Sequence, residues 1–85
     1  MESILHTPSQ VGQLLRAGRR SQKLSQHDLA SRVGLSQPNL SKMEQGHASV
    51  TIEQFLTLCA NLQFEVVVRS KEVPSPSDTT AASEW

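Results

Sequence analysis

Apolar positions in the first sixty residues recur at the spacing of a helix face. Val11, Leu14, Leu15 and Gly18 fall at i, i+3, i+4 and i+7, which predicts an amphipathic helix with Arg16, Arg19 and Arg20 turned mostly outward. Thr7-Pro8 is its start signal: a hydroxyl able to cap, then a proline whose fixed φ suits the first turn. Ser25, with Asp28 three residues on, resembles a capping box for a second short helix, with Leu29, Ala30 and Val33 inward and Gly34 at its end. Ser36 caps a third, where Pro38 sits in the first turn, Leu40 and Met43 form the apolar pair and Gly46 closes. Thr51 or Ser49 caps a fourth, along which Ile52, Phe55, Leu56, Cys59 and Leu62 repeat at helical spacing.

The period then changes to two. Phe64, Val66 and Val68 alternate with Glu65, Val67 and Arg69, a β-branched pattern that predicts a strand over 64–70. A lone strand has unpaired N–H and C=O groups, and the chain offers no second strand to meet them. The same strand from a second copy solves this, so a homodimer joined through Phe64, Val66, Val67 and Val68 is expected. From residue 71 the chain becomes polar and carries Pro74 and Pro76, a composition too poor in apolar groups to offset ordering entropy; a disordered tail over 71–85 is expected.

Composition narrows the function classes. Eighty-five residues, 36% of them hydrophobic and 4% aromatic, make one small domain. No apolar run approaches the ~20 residues that cross a bilayer. The opening MESILHTPSQ lacks the basic and apolar regions of a signal peptide, so a cytoplasmic location is expected and no membrane partner. Cys59 lies on the apolar stripe and reads as inert core, and His6, His27 and His47 have no ligand spacing, so no metal is expected. No nucleophile–base pair or phosphate loop stands out; neither enzyme activity nor a cofactor is expected.

Net charge is zero, yet unevenly spread. Between Val11 and His47 six cations (Arg16, Arg19, Arg20, Lys23, Arg32, Lys42) face two anions (Asp28, Glu44), while from Glu72 to Trp85 there are three anions and no cation. Such asymmetry suggests a basic surface with an acidic tail.

The segment Gln26 to Gln45 is the most informative. Two short helices are separated by Gly34, which supplies the positive φ of a tight turn, and Ala30 is small enough to let the second approach the first. Here the sequence resembles the Xre/Cro-type helix-turn-helix repressors: Gln26 opens the first helix, Leu29-Ala30, Val33-Gly34 and the capping Ser36 follow, and Glu44 precedes Gly46. The resemblance covers about the first two-thirds of the chain and implies a mainly α, lambda-repressor-like bundle that binds double-stranded operator DNA.

In such a fold the recognition helix offers its N-terminal residues to base edges in the major groove. Gln37, Pro38, Ser41 and Lys42 are the candidate base contacts: Gln37 suits adenine bidentately, Lys42 suits guanine acceptors and Pro38 a thymine methyl. Gln26, Ser36, Asn39, Arg19, Arg20 and Lys23 are the candidate phosphate contacts. Glu44 is expected to pair internally with Arg16 or Arg20.

A narrower resemblance is to the HipB-like antitoxins, in a helix-turn-helix core followed by one strand and a short tail ending in Glu84-Trp85. It implies a strand that forms an intermolecular lid, autorepression of a toxin–antitoxin operon, and binding of a HipA-like serine/threonine kinase toxin, with Glu84 and Trp85 as the docking end. Trp is also a favoured interface anchor on physical grounds, because it buries a large area with few rotamers to freeze. A stand-alone Xre-type repressor, or an accessory DNA-binding subunit that does not itself neutralise a toxin, is the alternative. The expected organisation is an N-terminal arm over 1–7, a helix-turn-helix domain over 8–63, a dimerisation strand over 64–70 and the tail, in a bacterial, nucleoid-associated protein.

Overall fold

The computed structural model describes residues 2–71. Within them lie four helices: α1 (Pro8–Ser21), α2 (Gln26–Val33), α3 (Gln37–Glu44) and α4 (Ile52–Asn61). Each starts where a hydroxyl takes up an otherwise unpaired N–H. The Thr7, Ser25, Ser36 and Thr51 side chains accept from the N–H groups of Gln10, Asp28, Asn39 and Gln54. At α1, α2 and α4 the side chain of the third helical residue (Gln10, Asp28 or Gln54) also accepts from the cap's own N–H, completing a reciprocal box. Thr51, and not Ser49, is the cap of α4.

The helices also end alike. Leu24, Leu35, His47 and Phe64 return their N–H groups to the carbonyls of Arg19, Ala30, Lys42 and Cys59, closing each last turn. The residue before each return adopts the left-handed conformation: Gly34 at φ 73° and Gly46 at φ 78°, but also Lys23 at φ 57° and Gln63 at φ 61°. Two of the four stops are therefore made against the steric preference of an L-residue.

Leu15, Leu29, Ala30, Leu40, Met43, Leu58 and Leu62 form one buried cluster, with Val11, Leu24, Val33, Leu35, Phe55 and Phe64 packed on its margin. Burying a leucine in such a cluster stabilises by about 1.5–3 kcal/mol. The closest approaches are made at glycine. A Cβ on Gly12 would stand 2.5 Å from the carbonyl oxygens of Met43 and Glu44, so α1 and the end of α3 meet backbone to backbone there. Gly18 faces the ring of Phe64, which folds the chain after α4 back over α1.

Three expectations need correction. First, the inner stripe of α4 runs through Phe55, Leu58, Cys59 and Leu62, whereas Ile52 and Leu56 stand 71% and 49% exposed. The apolar arc of this helix is wider than one face, and only the half that meets α2 and the core is covered. Second, Arg19 is buried and not outward. Third, no strand is found among the described residues: 64–70 run outside regular structure, with Phe64 half-buried and Val66, Val67 and Val68 exposed. A strand exists only by pairing, and among the described residues no second strand lies beside this segment. Glu84 and Trp85, and all of the expected tail beyond residue 71, lie outside the described residues.

Candidate nucleic-acid interface

The turn between α2 and α3 is built from Gly34, Leu35 and Ser36. Gly34 takes the left-handed conformation that ends α2, Leu35 drops its side chain onto the core, and Ser36 starts α3 with its Oγ on the N–H of Asn39. Leu40 and Met43, both fully buried, anchor one side of α3. Its other side is thereby fixed: Gln37, Pro38 and Lys42 are exposed, and Asn39 and Ser41 are half-buried. An α-helix measures about 10–12 Å across with its side chains, a match to a major groove about as wide.

Behind this face lies a chain of polar contacts linking three helices. Glu44, in the last turn of α3, has a fully buried side chain. Its Oε2 accepts from Nε of Arg19 at 2.7 Å and its Oε1 from an Nη of the same guanidinium at 3.0 Å, a two-pronged pair across α1 and α3. Another Arg19 nitrogen donates to the Leu24 carbonyl at 2.9 Å, so Arg19 is engaged on every side. Hydrogen bonding to Glu44 raises the Arg19 pKa above its ordinary value, against the opposing effect of burial. Arg16, half-exposed, adds a longer contact of 3.7 Å to Glu44 Oε1.

The network then runs to the surface. Gln26 Nε2 donates to Glu44 Oε1 at 3.1 Å, and Gln37 Nε2 donates to Gln26 Oε1 at 2.7 Å. The first residue of α2 thus links the buried ion pair to the first residue of α3. Of the candidate phosphate contacts, Ser36, Arg20 and Lys23 are exposed, and Gln26 and Asn39 are half-buried. Arg19 is withdrawn from that set by its internal partners. Glu44 does pair internally, as expected, with Arg16 among its contacts, but its principal partner is Arg19 and not Arg20. The signal for this is present in the chain: Arg19 lies four residues after Leu15 and seven after Gly12, on the same face as both buried residues. A charge on an apolar stripe calls for an opposite charge inside the fold.

Other chemistry is sparse in this part of the molecule. Among the described residues no group of three or more His, Cys, Asp or Glu could hold a metal ion, and no helix is long and apolar enough to cross a membrane. Cys59 is buried, and burial pushes its thiol pKa up, away from the reactive thiolate.

Comparison with known proteins agrees with this geometry. A protein-family model described as a helix-turn-helix domain matches residues 10–71. An uncharacterized HTH-type transcriptional regulator of Sinorhizobium fredii, y4dL, is 33% identical over 63 residues, 74% of this chain and 32% of that protein. The chain therefore spans about a third of the length of this curated relative. The restriction-modification controller protein C.AhdI from Aeromonas hydrophila superposes with a TM-score of 0.65 at 33% identity, over 68% of this chain and 88% of its own. The clp gene regulator ClgR from Corynebacterium glutamicum gives 0.65 at 26% identity, over 67% and 61%. HipB, in its complex with an O4 20mer, gives 0.71 over 84% of this chain and all of its own, at an 18% identity that speaks for shared fold alone.

Proposed function

The chain belongs to the helix-turn-helix domain family, and from that premise we propose that it is a regulator of Xre type whose α3 reads an operator in the major groove. The observation that carries the proposal is Gln37: exposed at the start of α3, yet held at 2.7 Å by Gln26. A base-reading amide needs this combination of access and fixed direction. Gln37, Pro38, Ser41 and Lys42 address base edges, and Gln37 suits adenine. Gln26, Ser36, Asn39, Arg20 and Lys23 address phosphate oxygens, helped at Ser36 by the N-terminal N–H groups of α3. Arg19 supports the reading face from inside.

The protein acts as a homodimer on two half-sites about 34–36 Å apart or a multiple of that. The support is the exposed apolar surface left by one copy, with Val67 at 76% and Val68 at 93% exposure. In the finer reading the protein is an antitoxin that represses its own operon and binds a HipA-like serine/threonine kinase toxin through Glu84 and Trp85. Support for this comes from the HipB-like order of segments and from the shared fold, HipB being known also in a complex with HipA. Removing residues 75–85 separates the activities: operator affinity stays, and capture of a co-expressed kinase toxin falls. Equal capture by the shortened chain favours a stand-alone repressor.

Replacing Gln37 by alanine tests the core of the proposal. The expected result is a loss of about 1–3 kcal/mol confined to one base position per half-site. An unchanged binding profile removes Gln37 from the reading face.

A further inference from the structure

We infer that Glu44 is a positioning residue for base readout: its buried carboxylate sets, through Gln26, which end of the Gln37 amide faces the DNA. The inference rests on the reading of Gln37 as a base contact and adds to it a determinant of which base is preferred.

A carboxylate held in a two-pronged contact with Arg19 has only acceptor oxygens to offer. Glu44 Oε1, 3.1 Å from Gln26, therefore receives the NH₂ end of that amide. An amide has one end of each kind, so Gln26 is obliged to point its oxygen the other way, toward Gln37. The Gln37 amide meets that oxygen at 2.7 Å with its own NH₂ end. What remains free on Gln37 is one carbonyl oxygen and one N–H, an acceptor beside a donor. That pair matches the N6 donor and N7 acceptor of adenine. Were the chain of amides reversed, Gln37 would turn its oxygen inward and present two N–H donors. Two donors match the O6 and N7 acceptors of guanine instead.

The inner end of this relay is not free to turn over. Glu44 is fully buried, is tied to α1 through Arg19, and lies in a part of α3 fixed by the close approach at Gly12. Gln26 and Gln37 are the first residues of their helices, so their backbones are set by the Ser25 and Ser36 caps. The ion pair thus has a second role besides joining α1 to α3. It supplies a fixed polarity that two otherwise symmetric amides pass to the surface.

The test is selection of bound sequences from a random duplex DNA library with the full chain and three variants. Gln37→Ala identifies the base position concerned. Gln26→Lys leaves both members of the Arg19–Glu44 pair in place and adds a cation near the phosphates, but offers Gln37 only a donor, so the Gln37 amide must turn over. Glu44→Gln removes the acceptor-only group at the origin of the relay. The expected result is a preference for adenine in the unmodified protein that falls about tenfold toward guanine in Gln26→Lys, with other positions of the site unchanged. Glu44→Gln should shift the same position in the same direction. Because Gln26→Lys retains the buried pair, it carries the test where Glu44→Gln weakens the fold. Adenine preference unchanged in Gln26→Lys, at a position that Gln37→Ala abolishes, overturns the relay and leaves the base contact standing. A profile unmoved by Gln37→Ala overturns the base contact itself.

Discussion

Nε of Arg19 lies 2.7 Å from Oε2 of Glu44, across the gap between α1 and the last turn of α3. Two charged side chains 25 residues apart in sequence close this contact inside the fold. Their value is asymmetric. A buried pair contributes little beyond what an apolar pair of the same shape would, but removing one partner strands the other charge out of water. Arg19→Met should therefore destabilise by about 3–5 kcal/mol, and Arg19→Met with Glu44→Leu should recover most of that loss. Arg20→Met, at an exposed site, should cost under about 0.5 kcal/mol. Urea unfolding of the four proteins measures all three differences. A double variant no more stable than Arg19→Met would remove the stranded-charge explanation.

Gly12 is expected to tolerate no side chain. An alanine Cβ there would sit 2.5 Å from two carbonyl oxygens of α3, and neither belongs to a flexible side chain that could move aside. Alanine at a mid-helix glycine usually stabilises by roughly 0.5–1 kcal/mol. Here the sign should reverse, with a loss of about 1–3 kcal/mol from overpacking. DNA affinity should fall as well, because the same displacement shifts α3. Unfolding midpoints of Gly12→Ala that match or exceed the parent would contradict the backbone contact.

Gln63 offers the opposite case. Its φ of 61° places an L-residue in the left-handed region at the stop of α4. That conformation costs an L-residue about 1–2 kcal/mol. Glycine removes the cost while adding roughly 0.4–1 kcal/mol of unfolded-state freedom. Gln63→Gly should accordingly raise stability by a few tenths of a kcal/mol to about 1 kcal/mol in thermal or denaturant unfolding. A lowered midpoint would mean that the Gln63 side chain makes a contribution of its own.

Most of the fold is legible in the chain, and the illegible parts have definite causes. Caps and stops are local, so Thr7, Ser25, Ser36, Gly34 and Gly46 mark helix limits without knowledge of packing. Which half of a broad apolar arc is covered is not local: Ile52 and Leu56 carry the same spacing as Phe55 and Cys59 and differ only in what lies opposite. The burial of Arg19 is illegible for a related reason. Three basic residues close together suggest a solvated face, yet Arg19 shares its side of α1 with Gly12 and Leu15, and its partner lies on α3. The alternation of Phe64, Val66 and Val68 is real, but a strand also needs a neighbour to pair with, and no second strand is found among the described residues. Gln26 and Gln37 stand out by residue type and by their places at the starts of α2 and α3; their mutual hydrogen bond and the bond from Gln26 to Glu44 follow from the three-dimensional arrangement.

Acid should loosen α2 first at its N-terminus. The Ser25 hydroxyl, followed by its backbone N–H, bonds the Asp28 carboxylate and lowers its pKa below the ordinary aspartate value. A group with a depressed folded pKa stabilises above its unfolded pKa, and that stabilisation is lost as pH falls through the folded value. The helix start should therefore be intact at neutral pH and weaken only below the ordinary aspartate range. Asp28→Asn should flatten this part of the pH dependence; an acid profile identical in the two proteins would show that the box contributes nothing measurable.

DNA binding by the unmodified chain is the most direct test of α3 as a reading helix. Titration of a fluorescent duplex carrying the promoter of its own gene, against a shuffled duplex of equal length and composition, measures it at two salt concentrations. The expected result is a preference for the promoter of about 10³-fold or more at physiological salt, and an affinity for both duplexes that falls steeply as salt rises. Equal affinity for promoter and shuffled DNA, with or without salt dependence, would contradict it.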